Sequence, residues 1–211
     1  MTTAATGPPA GRTGGTTRLR IARLVTDVAS PAVLVAGLLF AIAWHAAPTA
    51  GQALAVGLVA AAAASFVPIG YIVRGVRRGR WTDRHVTVRE QRRLPLLVCL
   101  ASTLAGTVVL YAAGAPRPVV ALIASMVAAL AVTWPITMLA RWKVSVHALV
   151  AAGTVAALGV VFGGPAALAL CPVAVAVCWS RIALNDHTVG QVLVGALIGA
   201  AAAGLLFPGL A

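Results

Sequence analysis

The chain has 211 residues, 61% of them hydrophobic and only 9% charged, where soluble domains carry roughly 25% charge. That balance excludes a soluble globular domain and points to an all-α, polytopic transmembrane bundle. The net charge of +12 would suggest nucleic acid in a soluble protein. Here the arginines flank apolar runs, where they set topology and hold anionic headgroups or phosphate, so no nucleic-acid partner is expected.

Residues 1–20, MTTAATGPPAGRTGGTTRLR, are rich in Gly, Pro and Thr without apolar periodicity and read as a disordered basic tail. Residues 21–211 form the single transmembrane domain. The first apolar run ends in small residues, HAAPTA, which imitate a cleavage site. The long preceding tail and the apolar run that follows at once favour an uncleaved span.

Seven candidate spans lie at about 31–47, 51–73, 94–113, 118–140, 146–163, 165–179 and 188–207. A helix needs roughly 20 residues to cross the hydrocarbon layer, so six to seven spans are expected, the shorter ones extended into polar flanks or set in thinned bilayer. The sixth is the run that the sequence supports least as a full span. With the tail in the cytoplasm, the inner breaks hold RGVRRGRWTDRHVTVREQRR, RWK and Arg181, and the outer breaks hold Arg117 alone. The positive-inside rule then places every polar cluster at the cytoplasmic face of the cell membrane.

Cys99, Cys171 and Cys178 sit inside apolar runs without metal-ligand spacing and read as packing residues. Gly195 and Gly199, four apart in the last run, predict close helix contact more than a dimer signal. The acids Asp27, Asp83, Glu90 and Asp186 are too scattered to hold the Mg²⁺ of prenyl or alcohol phosphotransferases. No metal and no cofactor are expected.

Three polar clusters carry the chemistry. Residues 81–95, WTDRHVTVREQRRLP, offer Arg84, Arg89, Arg92 and Arg93 with Asp83 and His85; on a helix Arg89 shares a face with Arg92 and Arg93. Residues 141–148, RWKVSVHA, place Ser145 as an N-cap with His147 in the first turn and Lys143 just before. The third, WSRIALNDHTVGQ at 179–191, puts charge at a membrane boundary, where a mid-bilayer charge costs about 2.5 to 3.5 kcal/mol.

If the last helix begins near Asn185 or Asp186, His187 lies in its first turn. Gln191 then lies one turn later, placed to accept the ring N–H. The helix N-terminus and the Arg181 guanidinium together favour a phosphate. The competing reading takes each cluster as a topological loop, with Arg181 snorkelling and His187 merely interfacial. Three clusters on one face favour phosphate handling.

SRIALNDH resembles the third signature of the type 2 phosphatidic acid phosphatase superfamily: Ser-Arg, five residues, then His. SVH at 145–147 is similar to that family's Ser-Gly-His, and the resemblance covers roughly residues 80–195. It implies a PAP2-like fold and a metal-independent lipid phosphatase acting on an isoprenoid or glycerolipid phosphate or diphosphate. His187 would form a phosphohistidine, and His147 would protonate the leaving alkoxide. Arg181, Ser145, Ser180, Lys143, Arg89 and Arg92 would bind the phosphate.

The pattern departs in places. Gln191 stands where the family has Asp, which makes Asp83 the candidate orienting acid, since Asp186 points about 100° away from His187 on a helix. The Lys-x6-Arg-Pro signature is absent as written, and Val144 and Val146 replace the Pro and Gly of the second. These departures keep an alternative open: a catalytically weakened relative that binds phosphorylated lipid, or a membrane scaffold or transporter.

Overall fold

The computed structural model describes residues 13–211, and among them every regular element is helical. The helices are α1 (Thr13–Val28), α2 (Pro31–Ala46), α3 (Ala50–Arg77), α4 (Arg89–Ala112), α5 (Arg117–Met138), α6 (Val146–Phe162), α7 (Gly164–Ala183) and α8 (Val189–Leu210). Proline stands in the first two positions of α2, α5 and α7, where a missing N–H costs nothing. Gly163, at φ +85°, turns the chain between α6 and α7, a conformation that side chains resist.

Five helices are long and apolar enough to cross a membrane, and a sixth span arises if α1 and α2, bent by 41°, count together. The protein is therefore a multi-pass helical membrane protein. Each of the seven apolar runs has become a helix. The sixth, expected to be marginal, is a full 20-residue helix. The first and the fifth are the short ones: α2 has 16 residues and α6 has 17, about 24 and 26 Å at 1.5 Å per residue, against a hydrocarbon layer of about 30 Å.

The expected tail boundary moves. Residues 1–12 lie outside the described residues, but residues 13–20 are the opening turns of α1 rather than disordered chain. Arg18, Arg20 and Arg23 of α1 are exposed, while Ala22, Thr26 and Ala29 are buried at helical spacing. Because its inward stripe is made of small and hydroxyl residues, hydrophobic periodicity does not reveal it.

Helices α6 and α8 approach almost to backbone contact. A Cβ on Gly199 would lie 1.9 Å from the Leu149 carbonyl oxygen, and one on Gly195 would lie 2.4 Å from that of Ser145. The glycine pair thus serves a contact within the bundle. At one end of the bundle Leu39 and Ile42 of α2, Leu122 and Ile123 of α5, Ala157 of α6 and Phe207 of α8 form a buried apolar core.

The opposite end carries the polar loops. Helices α3, α5 and α7 end there, and α4, α6 and α8 begin there. Three contacts tie the loops together: Asp27 of α1 pairs with Arg84, Arg92 Nη1 donates to the Val144 carbonyl at 2.8 Å, and Lys143 Nζ donates to the Asp186 carbonyl at 2.6 Å.

Candidate functional site

The local sequence fixes each functional side chain. Ser145 caps α6, its Oγ accepting from Ala148 N, so His147 stands in the first turn as expected. Asn185, at φ +57°, is the left-handed residue that ends α7. Thr188 then opens α8 with a capping box: its Oγ1 accepts from Gln191 N, and Gln191 Oε1 accepts from Thr188 N.

This capping box corrects the expected geometry of the third cluster. His187 precedes the N-cap and is not in the helix, and the Gln191 amide is spent on the cap and does not hold the imidazole. His187 Nδ1 instead lies 3.3 Å from the Lys143 carbonyl oxygen. A carbonyl only accepts, so Nδ1 carries the ring proton and Nε2 keeps its lone pair. Arg92 Nη2 faces that lone pair at 3.3 Å.

His187 is held neutral. Burial, then the charges of Arg92, Lys143 and Arg181, push its pKa down to about 3. Burial and the neighbouring Arg92 likewise lower the Lys143 ammonium below its ordinary value.

Arg92 is buried and donates Nε to the Val86 carbonyl at 2.8 Å as well as Nη1 to Val144. It joins the first loop to the second and points its remaining arm at the third. Val86 itself sits at φ +47°, a strained conformation for a β-branched residue. The strain aims its carbonyl at Arg92. Arg89, by contrast, pairs with Glu90 and is not brought to the cluster.

Arg181 is 1% exposed. Its Nη1 donates to Thr26 Oγ1 at 3.2 Å, and its Nη2 lies 2.6 Å from Asp186 Oδ2. That ion contact lacks hydrogen-bond alignment, and Nε has no partner at all. Ser180 donates to the Val177 carbonyl and meets Thr26 Oγ1 at 3.0 Å, so it locks α7 to α1. Asp83 is also committed: it accepts from Thr82 Oγ1, His85 N, and both Thr87 N and Thr87 Oγ1. Burial opposes its charge, but the bonds from Thr87, His85 and Thr82 together outweigh burial and hold the carboxyl below its ordinary value. Asp83 organises its own loop and is not hydrogen-bonded to His187.

His147 is buried and its Nε2 has no hydrogen-bond partner. Arg181, His85, Arg92 and His187 all lie within electrostatic reach of it. A buried polar atom left unpaired costs roughly 1 to 3 kcal/mol, so the open Arg181 Nε–H calls for an acceptor, a role that an anion fills.

An internal pocket of about 480 Å³ opens at this cluster. Asp27, Arg84, His85, Arg92 and His147 line its polar end, and it continues between α2, α3, α4, α5, α6 and α8 over apolar side chains. His187 stands behind the polar end and meets it through Arg92; Arg181 is buried outside the lining, within electrostatic reach of His147. Asp27 carries no site signal in the sequence, and His85 enters there only as a member of the arginine-rich cluster. Asp27 belongs to the pocket because α1, whose first half falls in the expected tail, packs against α7, and His85 reaches it from the loop before α4.

No family model, curated protein or solved structure matches the chain.

Proposed function

We propose that the protein is a membrane-embedded lipid phosphatase working through a phosphohistidine on His187. The observation that carries this reading is the set of buried, unpartnered nitrogens on His147 and Arg181 beside a neutral imidazole whose free lone pair is fixed by Lys143. An apolar pocket leading away from those groups suits the tail of an amphiphile. The charge asymmetry favours the cytoplasmic face.

In this mechanism the phosphate enters against Arg92, Arg181 and His147. Arg92 Nη2 now faces His187 Nε2, so the guanidinium must turn to a nonbridging oxygen before phosphorus can approach. His187 Nε2 attacks phosphorus as the bond to the lipid oxygen breaks, and His147 gives that oxygen a proton. Bound phosphate supplies the negative charge that lets His147 carry the proton among cationic neighbours. Water then attacks phosphorus, the N–P bond breaks, and His147 takes the proton of the water.

A second reading has its own observation. The His187 ring N–H is held by a neutral carbonyl and by no carboxylate, so less charge opposes the cationic phosphoimidazole. That favours a protein that binds phosphorylated lipid without turning it over. Phosphate release from phosphatidic acid and a polyprenyl diphosphate, measured in detergent with EDTA, separates the two. Release lost in His187→Ala supports the phosphatase; binding without release supports the second reading.

A further inference from the structure

His147 is buried, yet the proposed chemistry moves a proton to it and away from it. In the free protein His147 is buried near the guanidinium groups of Arg181 and Arg92; a bound phosphate dianion supplies the opposite charge that an imidazolium needs. Each turnover therefore takes one proton from water to His147 when the dianion binds. The leaving alkoxide receives it, the attacking water restores it, and it returns to solvent when phosphate leaves. A proton route between His147 and water is needed.

One set of side chains meets that need. The ring of His85 stands with its centroid 5.1 Å from that of His147, tilted by 59°. On its far side His85 Nε2 lies 3.1 Å from Asp27 Oδ1, so Nε2 carries the proton and donates it. Exposure rises along the series: His147 is 5% exposed, the His85 side chain 19% and the Asp27 side chain 43%. All three line the same pocket. The other three carboxylates are committed, Asp186 to Arg181, Glu90 to Arg89 and Asp83 to the backbone and hydroxyls of its own loop.

We infer that Asp27 and His85 form a proton relay between water and His147, with Asp27 orienting His85 and His85 passing the proton across the imidazole pair. The inference rests on the phosphatase reading above. Arg84, which shares Asp27, keeps the carboxylate at the mouth without blocking its contact to His85. The relay makes α1 a working part of the site.

The test uses the full chain in detergent and two substrates: decyl phosphate, whose alkoxide needs a proton to leave, and 4-nitrophenyl phosphate, whose phenolate does not. The first-turnover release of alcohol or phenol is measured for the wild type, Asp27→Asn, His85→Gln and Asp27→Glu. The expected result is a fall of roughly 10- to 100-fold on decyl phosphate for the first two variants, a fraction of the effect of a positioned acid. Release of 4-nitrophenol should hold within about 3-fold, and Asp27→Glu should recover part of the loss on decyl phosphate. The aryl substrate also reports that the fold is intact. An equal fall on both substrates, or no fall on either, overturns the relay while the phosphatase stands. A wild type that releases neither alcohol overturns the phosphatase reading and the relay with it.

Discussion

At the scale of single residues, the account turns on which atom holds each proton. His187 and His85 are both kept below their ordinary pKa, His187 by burial and the surrounding cations, His85 by burial and then the charge of Arg181 against the opposing bond to Asp27. Both rings are neutral in the folded protein, whereas in the unfolded chain they take up protons near pH 6.5. The unfolded state then binds more protons, so stability present above about pH 6.5 is lost as the pH falls toward 3. Thermal unfolding in detergent should show this decline, and His187→Gln should flatten it. Arg92→Lys removes the fork that reaches two carbonyls and the imidazole, and should cost about 3 kcal/mol, read as a lower melting temperature. Gln191→Ala should cost only the cap, about 1 kcal/mol, and leave phosphate release within a few-fold. A large loss of activity there would restore Gln191 to the role that the resemblance implies.

At the scale of elements, the capping role of Gln191 is legible in the sequence. Thr188-Val-Gly-Gln191 has the Thr-x-x-Gln pattern of a capping box, which places the start of α8 after His187. Reading the helix from Asn185 or Asp186 put the imidazole on the wrong side of that boundary. Ser145 and His147 were legible for the same kind of reason, since an N-cap fixes the residues after it. Arg92 was legible as a candidate, but not its distinction from Arg89, because only tertiary contact shows which arginine of the run turns inward. The Asp27–His85 contact spans 58 residues and joins elements with no local signature. Helix packing was legible in part: Gly195 and Gly199 mark a close approach, and the partner, α6, is visible only in the fold. Gly199→Ala must force α6 and α8 apart, with an overpacking cost of about 1 to 3 kcal/mol, to be read as a drop in melting temperature in detergent.

At the scale of the whole molecule, composition and hydropathy made the bundle readable, because seven apolar runs separated by short polar breaks leave few alternatives to helices that run back and forth. The pocket was not readable, since its lining is drawn from elements spread along the chain from Asp27 to Ala203. Its polar end, at Arg92 and His147, and its apolar body suit the proposed ligand, an anionic head with a tail among the helices. The most direct measurement is to incubate the full chain in EDTA with a lipid phosphate labelled in its phosphoryl group, quench it rapidly in alkali, where phosphohistidine survives, and locate the label by peptide mass spectrometry. The account predicts label on His187, absent from His187→Ala and accumulating in the wild type before phosphate is released. Release of phosphate without label on His187, or label on another residue, would contradict it.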